Sequence, residues 1–223
     1  MDSWHRLMPD CQYRLWDEST FSVDSHPYTR EAYAAGKYAF VSDYVRLWAL
    51  EREGGIYLDT DVELLQPLDN LLHLKAFAGF ESSKHLPLGT CLLATEPHGM
   101  WVSEMLEAYH NRHFLLSDGT PDLTTNVQFL TALMSTHGFL QNGTEQDYLD
   151  LHIFPAEYFS PRSTAGEYLC TANTYTDHLG LASWDSSNMC WKDRILQWFP
   201  QKHRTRLIKL KRRLEWFPSS LNK

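Results

Sequence analysis

FVSDYVRLWALEREGGIYLDTDVELLQPLD, residues 40–69, sets a helix, a double-glycine stop and a short apolar strand in a row, and ends the strand on two aspartates. A chain of 223 residues with this much Asp holds about one Asp-x-Asp by chance, so Asp59 and Asp61 gain meaning only from what surrounds them. Val41 to Glu53 has helical periodicity, and Gly54-Gly55 supplies the flexible stop that helices favour at their C-terminal ends. Ile56-Tyr57-Leu58 then reads as a buried strand. In an extended segment Tyr57, Asp59 and Asp61 share one face, while Ile56, Leu58, Thr60 and Val62 share the other. Two like charges about 7 Å apart tolerate partial burial only with a cation or donors between them. A hard divalent ion that also meets phosphate oxygens satisfies that need. On the preceding helix Asp43 and Arg46 stand three residues apart, beside the Leu47 and Leu50 stripe. They fit either a structural ion pair or a functional pair in which Arg grips a donor's phosphates and Asp a sugar's hydroxyls.

Ser42-Asp43-x-x-Arg46 followed by Gly54-Gly55-Ile56-Tyr57-Leu58-Asp59-Thr60-Asp61 resembles the signature of glycosyltransferase family 32. These sugar transferases are related to the glucosyltransferase domains of large clostridial toxins. Pieces in the same order continue the resemblance over residues 1 to 190: Asn70-Leu71-Leu72, Gly79-Phe80-Glu81, Leu123-Thr124-Thr125-Asn126, Phe154 to Phe159 and Ser183-Trp184. The resemblance implies an α/β fold of the GT-A nucleotide-sugar-binding type and retaining transfer from a UDP- or GDP-sugar to a saccharide. It implies that Asp61 ligates Mn²⁺ or Mg²⁺, that Asp59 contacts the ribose or the metal, and that Tyr57 lines the nucleotide pocket. Asp43 and Arg46 would hold the donor sugar, Asn126 would sit near sugar or acceptor, and Ser183-Trp184 would close over the diphosphate. Taken alone, Trp184 is as well explained by ordinary packing. Departure of a nucleoside diphosphate leaves negative charge that a Lewis acid and an Arg stabilise, behind a lid that keeps water out.

The chain departs from the family in two places. A paired His is common before the Ser-Trp; here His178 is followed by Leu179, and the spacing leaves open whether His178 is a metal ligand. Family members also open on a strand that forms part of the base pocket. Met1-Asp2-Ser3-Trp4 instead reads as the following helix, with Tyr13-Arg14-Leu15-Trp16 as the second strand, so the sheet is expected to lack its usual first strand and to bind donor poorly.

With 43% apolar and 13% aromatic residues the chain can build one real core. No apolar run nears the ~18 residues that span a bilayer, and the N-terminus lacks a signal-peptide pattern. Cys11, Cys91, Cys170 and Cys190 have neither metal-ligand nor disulfide-framework spacing, which favours a reducing, cytoplasmic setting. The sequon Asn142-Gly143-Thr144 would matter only in a secreted protein. Periodicity elsewhere predicts helices near Thr29–Ala35, Met100–Asn111 and Asn126–Thr136, strands near Ala76–Phe80, Cys91–Ala94 and Leu151–Phe154, and a loop at Ser117–Pro121. That alternation is an α/β order, expected to form a parallel sheet with its ligand at the carboxyl ends of the strands.

Net charge hides an asymmetry. Residues 192–223 hold 10 Lys and Arg against 2 Asp and Glu, so a tail of +8 follows a body of −16. Leu207, Leu210, Leu214 and Phe217 recur at helical spacing beside Arg204, Arg206, Lys209, Lys211, Arg212 and Arg213. Such a basic amphipathic helix suits an anionic membrane surface, and the chain is expected to sit peripherally on the inner face of the membrane; packing on the protein's own core fits the pattern equally. Nucleic acid is disfavoured by the acidic body. The division expected is a transferase domain over 1–190 and a basic segment over 191–223. Two rival readings remain: an inactive relative that only binds sugar nucleotide, and a haloacid-dehalogenase-like phosphatase. The phosphatase motif wants Thr or Val where Glu63 stands, and it finds a later acidic pair only in Asp118 and Asp122.

Overall fold

The computed structural model describes residues 1–82, 86–163 and 167–179. Five helices and seven strands are described: α1 (Asp2–Leu7), α2 (Pro27–Ala34), α3 (Tyr38–Glu53), β1 (Gly55–Leu58), β2 (Val62–Leu64), β3 (Ala76–Gly79), β4 (Leu92–Thr95), α4 (Met100–Glu107), α5 (Asn126–Thr136), β5 (Gln146–Tyr148), β6 (Leu151–Phe154) and β7 (Thr176–His178). The α/β alternation holds, but the sheet is mixed rather than parallel. Its order is β1-β4-β3-β6-β5, with β3 and β6 the parallel pair and the other three pairings antiparallel. A second sheet pairs β2 with β7.

Side chains alternate across the main sheet and build a core on each face. Ala76, Ala78, Leu93, Leu151 and Ile153 point to one face, where Tyr28 of α2, Leu47 of α3, Trp101 of α4 and Leu130 of α5 meet them. Phe77, Leu92, Ala94 and Phe154 point to the other, where Trp4, Val62, Leu64 and Leu68 cover them. Trp4 and Ser3 fasten α1 beneath β2, the indole donating to the Val62 carbonyl at 2.9 Å and the Ser3 hydroxyl accepting from Leu64 N–H at 3.1 Å.

Local chemistry explains the ends of the elements. Pro27 opens α2, where a missing N–H costs nothing. Thr125 and Gln128 form a reciprocal capping box at the start of α5. The first amides of α4 are capped from a distance by the Asp150 carboxylate, at 2.8 and 2.9 Å. At the end of α3 Gly54 has φ +64°, and a Cβ there would lie 2.6 Å from Pro97 Cδ and 2.9 Å from the Thr95 carbonyl oxygen. Only glycine lets α3 turn that closely into β1.

Two local expectations are corrected. Tyr13–Trp16 is not a strand: Arg14 pairs with Glu53 at 2.6 Å and Trp16 packs edge-on to Trp48, so side chains of α3 hold the segment instead of a strand's backbone. Ile56–Leu58 is a half-buried edge strand rather than a fully buried one, because among the described residues β1 pairs only with β4. Among the described residues no helix is long and apolar enough to cross a membrane. The boundary at 190, Ser183, Trp184 and the basic tail helix all lie outside the described residues.

Candidate donor-sugar and metal site

α3 delivers Asp43 and Arg46, the end of β1 delivers Tyr57 and Asp59, the turn after it Asp61, β7 His178, and the start of α5 Asn126. Arg46 is the hub. It is 6% exposed, yet its guanidinium stands 3.0 Å from Asp43 and 3.4 Å from Asp59, and lies 4.6 Å from the centre of the Tyr57 ring. Nη1 also donates to the Thr90 carbonyl at 2.8 Å, and Nε to the Ser42 carbonyl at 3.2 Å. Burial works against this charge, but Tyr57, Asp59 and Asp43 outweigh it and keep Arg46 firmly protonated. With so many donors committed inside the protein, Arg46 is a brace for two carboxylates more than an open grip for phosphate.

Asp43 faces the opposite balance: burial raises its pKa, while Arg46 and the Asn126 amide pull it back. Asn126, 2% exposed, donates its backbone N–H to Asp43 Oδ2 at 3.2 Å and its side-chain amide to the Asp43 carbonyl at 3.3 Å. The first turn of α5 thus presents its positive end to that carboxylate. The Tyr109 hydroxyl closes the set, donating to Asn126 Oδ1 at 3.2 Å.

Asp59 and Asp61 converge, but not by strand alternation. The strand stops at Leu58; Asp59 N–H donates to the Cys91 carbonyl at 2.9 Å, and Val62 N–H donates back to the Asp59 carbonyl at 3.0 Å. That tight turn folds Asp61 inward. One ligand atom from each of Asp59, Asp61 and His178 lies within 4.8 Å of the others, closer than extended backbone would bring the carboxylates. His178 Nε2 is 3.4 Å from Asp61 Oδ1, and Leu179 N–H donates to the Asp61 carbonyl at 3.0 Å. The imidazole of His178 therefore meets the carboxylates, while Leu179 is buried and supplies backbone. Burial lowers the imidazole's pKa, but the Asp61 carboxylate and the Cys91 sulfur prevail and push it up to about 11. Tyr57 donates its hydroxyl to Asp59 Oδ1 at 2.6 Å, which fixes that carboxylate's orientation.

Two groups were not singled out as site residues by sequence. Glu81, just past β3, is partly buried; burial raises its pKa, His178 pulls it back and Asp59 raises it, which places it in the same field. Its place in Gly79-Phe80-Glu81 was the available signal. Tyr109 follows α4 and carried none. Asp118 and Asp122 join no carboxylate pair with Asp59 and Asp61: Asp118 accepts from Thr120 and Asp122 pairs with Arg112 at 2.9 Å. The phosphatase reading gains nothing from them.

Residues 1–78 match the family model for the glycosyltransferase sugar-binding region containing the DXD motif. The chain is 31% identical over 80 residues to glucan organizing enzyme 1 of Cryptococcus neoformans var. grubii, a match covering 32% of this chain and 22% of that protein. It is 41% identical over 75 residues to inositol phosphoceramide mannosyltransferase 3 of Schizosaccharomyces pombe, covering 32% of this chain and 21% of that protein. The matched part thus spans about a fifth of each relative's length. Among solved structures, a PaToxG glycosyltransferase superposes with a TM-score of 0.37 and 18% identity over 55% of this chain and 44% of that one, a likeness too slight to argue from. The resemblance to the DXD glycosyltransferases of family 32 holds for the region that carries Asp43, Arg46, Tyr57, Asp59 and Asp61.

Proposed function

We propose that the chain is a metal-dependent retaining glycosyltransferase of GT-A type that moves a sugar from a nucleotide-sugar donor to a saccharide or glycolipid acceptor in surface polysaccharide synthesis. The observation that carries this reading is the convergence of Asp43, Arg46, Tyr57, Asp59, Asp61, Asn126 and His178 from separate segments into one contiguous cluster. Once the proton that Asp61 holds on His178 is displaced on ion binding, Asp59, Asp61 and His178 offer two hard oxygens and an imidazole nitrogen, a donor set that fits Mn²⁺, or Mg²⁺ with waters completing the shell. When bound, the ion supplies charge neutralisation for the departing diphosphate. The protein's own residues do the rest. Arg46 holds Asp43 and Asp59 in place, Asp43 and Asn126 accept and donate hydrogen bonds to the donor sugar's hydroxyls, and Tyr57 walls the nucleotide side. Ser183 and Trp184 are assigned to covering the diphosphate, where exclusion of water favours transfer over hydrolysis.

The name of the S. pombe relative includes a mannosyl group and an inositol phosphoceramide, which makes GDP-mannose and a lipid-linked acceptor the first pair to try. A lipid-linked acceptor also accords with the basic tail, assigned to the inner face of an anionic membrane.

The test is a screen of UDP- and GDP-sugars for Mn²⁺-dependent hydrolysis or transfer by the purified chain. Asp61→Asn should slow turnover by on the order of 10² to 10³ or more while leaving the thermal transition in place. Unchanged Mn²⁺-dependent turnover in that variant removes Asp61 from the metal site. A folded chain that binds nucleotide sugar but neither hydrolyses nor transfers it is a binding protein instead.

A further inference from the structure

A second, largely buried arginine is linked to this cluster through Tyr109. Arg112, with its side chain 10% exposed, sits with its guanidinium carbon 3.9 Å from the centre of the Phe129 ring and 5.0 Å from those of Tyr28 and Tyr109. Its Nη2 reaches Asp122 at 2.9 Å and the Thr124 carbonyl at 3.2 Å, while Asp122 Oδ1 accepts from Thr124 N–H at 2.9 Å. Among the described residues its Nη1 is buried with no hydrogen-bond partner. As a stabilising element this is a poor choice: an apolar side chain would fill a cage of three aromatic rings without the cost of a half-satisfied cation. What the cation does instead is fix a path. Asp122 to Thr124 lead through Thr125 into Asn126, whose backbone and side-chain amides hold Asp43, and Tyr109 touches both Arg112 and Asn126.

We propose that Arg112 is a positioning residue of the donor-sugar subsite: it clamps the 122–125 lead so that Asn126 and the first amide of α5 meet Asp43 in register. The assignment rests on the proposed function, in which Asp43 and Asn126 touch the sugar and Asp59 and Asp61 serve the diphosphate end. Loss of Arg112 therefore weakens sugar recognition and spares the metal and nucleotide. Lysine does not rescue it, because one ammonium cannot reproduce the fork that reaches Asp122 and the Thr124 carbonyl together.

The test compares the full chain with Arg112→Met, Arg112→Lys and the milder Asp122→Asn. Calorimetry in Mn²⁺ measures GDP against GDP-mannose and UDP against UDP-glucose, and hydrogen exchange follows the amides of residues 124–128. The expected result is a loss of about tenfold or more in the extra affinity conferred by the sugar, with nucleoside diphosphate affinity within about twofold of the parent. Exchange at 124–128 should quicken in both Arg112 variants and, to a lesser degree, in Asp122→Asn. A variant that keeps the full sugar increment overturns the proposal, as does an equal loss for nucleotide and nucleotide sugar. If the parent chain binds none of these nucleotides, the functional reading fails separately, and unchanged exchange at 124–128 would still overturn the clamp.

Discussion

Replacing Arg46 with methionine keeps the length of the side chain and removes the charge on which two carboxylates depend. In the parent, a 6% exposed guanidinium pairs with Asp43, whose side chain is 13% exposed, and with Asp59, while the Thr90 carbonyl takes a further hydrogen bond. Breaking a buried pair by removing one partner costs about 3–5 kcal/mol, because the other charge stays behind uncompensated. A buried carbonyl left without its donor adds about 1 kcal/mol. The expected loss of about 4–6 kcal/mol approaches the whole stability of many domains, so Arg46→Met should be largely unfolded in urea concentrations that leave the parent intact. The structure also says how to recover it. Asp43 is already pushed up by burial and held back by Arg46, so without the arginine it takes up a proton, and Arg46→Met/Asp43→Asn should regain about 1–3 kcal/mol over the single variant. Urea denaturation followed by tryptophan fluorescence measures all four members of the cycle. A single variant that loses less than about 1 kcal/mol, or a double variant no better than the sum of its parts, would refute the account of Arg46 as a brace.

Three further outcomes follow from the same geometry. Glu31 accepts from the Phe114 and Leu115 amides at 3.0 Å and from His113 at 2.7 Å; burial pushes its carboxyl up, but these partners prevail and hold it below its ordinary 4.5. Its stabilising contribution is therefore complete above that value and lost as pH falls below it, so Glu31→Gln should cost about 1–2 kcal/mol at neutral pH and progressively less in acid, read from urea midpoints at each pH. Gly54→Ala should destabilise by clearly more than Gly36→Ala in thermal melts: both glycines have positive φ, worth about 1–2 kcal/mol to an L residue, but only at position 54 would the Cβ meet backbone. The full chain should sediment with anionic vesicles at low salt and be released by deleting residues 203–223; at about 1 kcal/mol per basic residue the tail suffices, and a full chain that ignores such vesicles ends the membrane reading.

How much of this was legible in the sequence depended on distance along the chain. α3, α5 and β6 follow from local periodicity, and Thr125 with Gln128 announces the start of α5. The convergence of Asp59 and Asp61 was legible as a fact, but its cause was not, because a strand-and-turn and a continuous strand share the same alternation until the turn closes. β2 and β7 are three residues each, and Leu64 meets Thr176 from half the chain away, so neither strand carries a local signal. For the same reason sequence could not decide between His178 and Leu179; the register of β7 on β2 does. Tyr13–Trp16 has the composition of a strand but finds no strand to pair with among the described residues, which composition does not encode. The cap that Asp150 places on α4 is equally invisible from either end.

The turn at Asp59–Val62 is also a joint. Asp59 is tied through its amide to Cys91, the residue that leads into β4 of the larger sheet, whereas Asp61 and His178 are tied to each other and to the smaller one, so the three prospective ligands stand on both sides of a seam. An ion gripping all three would act as a rivet, and its grip would be as exacting as the alignment of the two plates it joins. Such a rivet makes cohesion of the whole fold a gauge of ion activity, with unfolding deferred in proportion to the logarithm of its concentration. It also makes remote repacking beneath β2, around Trp4 or Leu68, a way to detune the cluster without altering any residue in it.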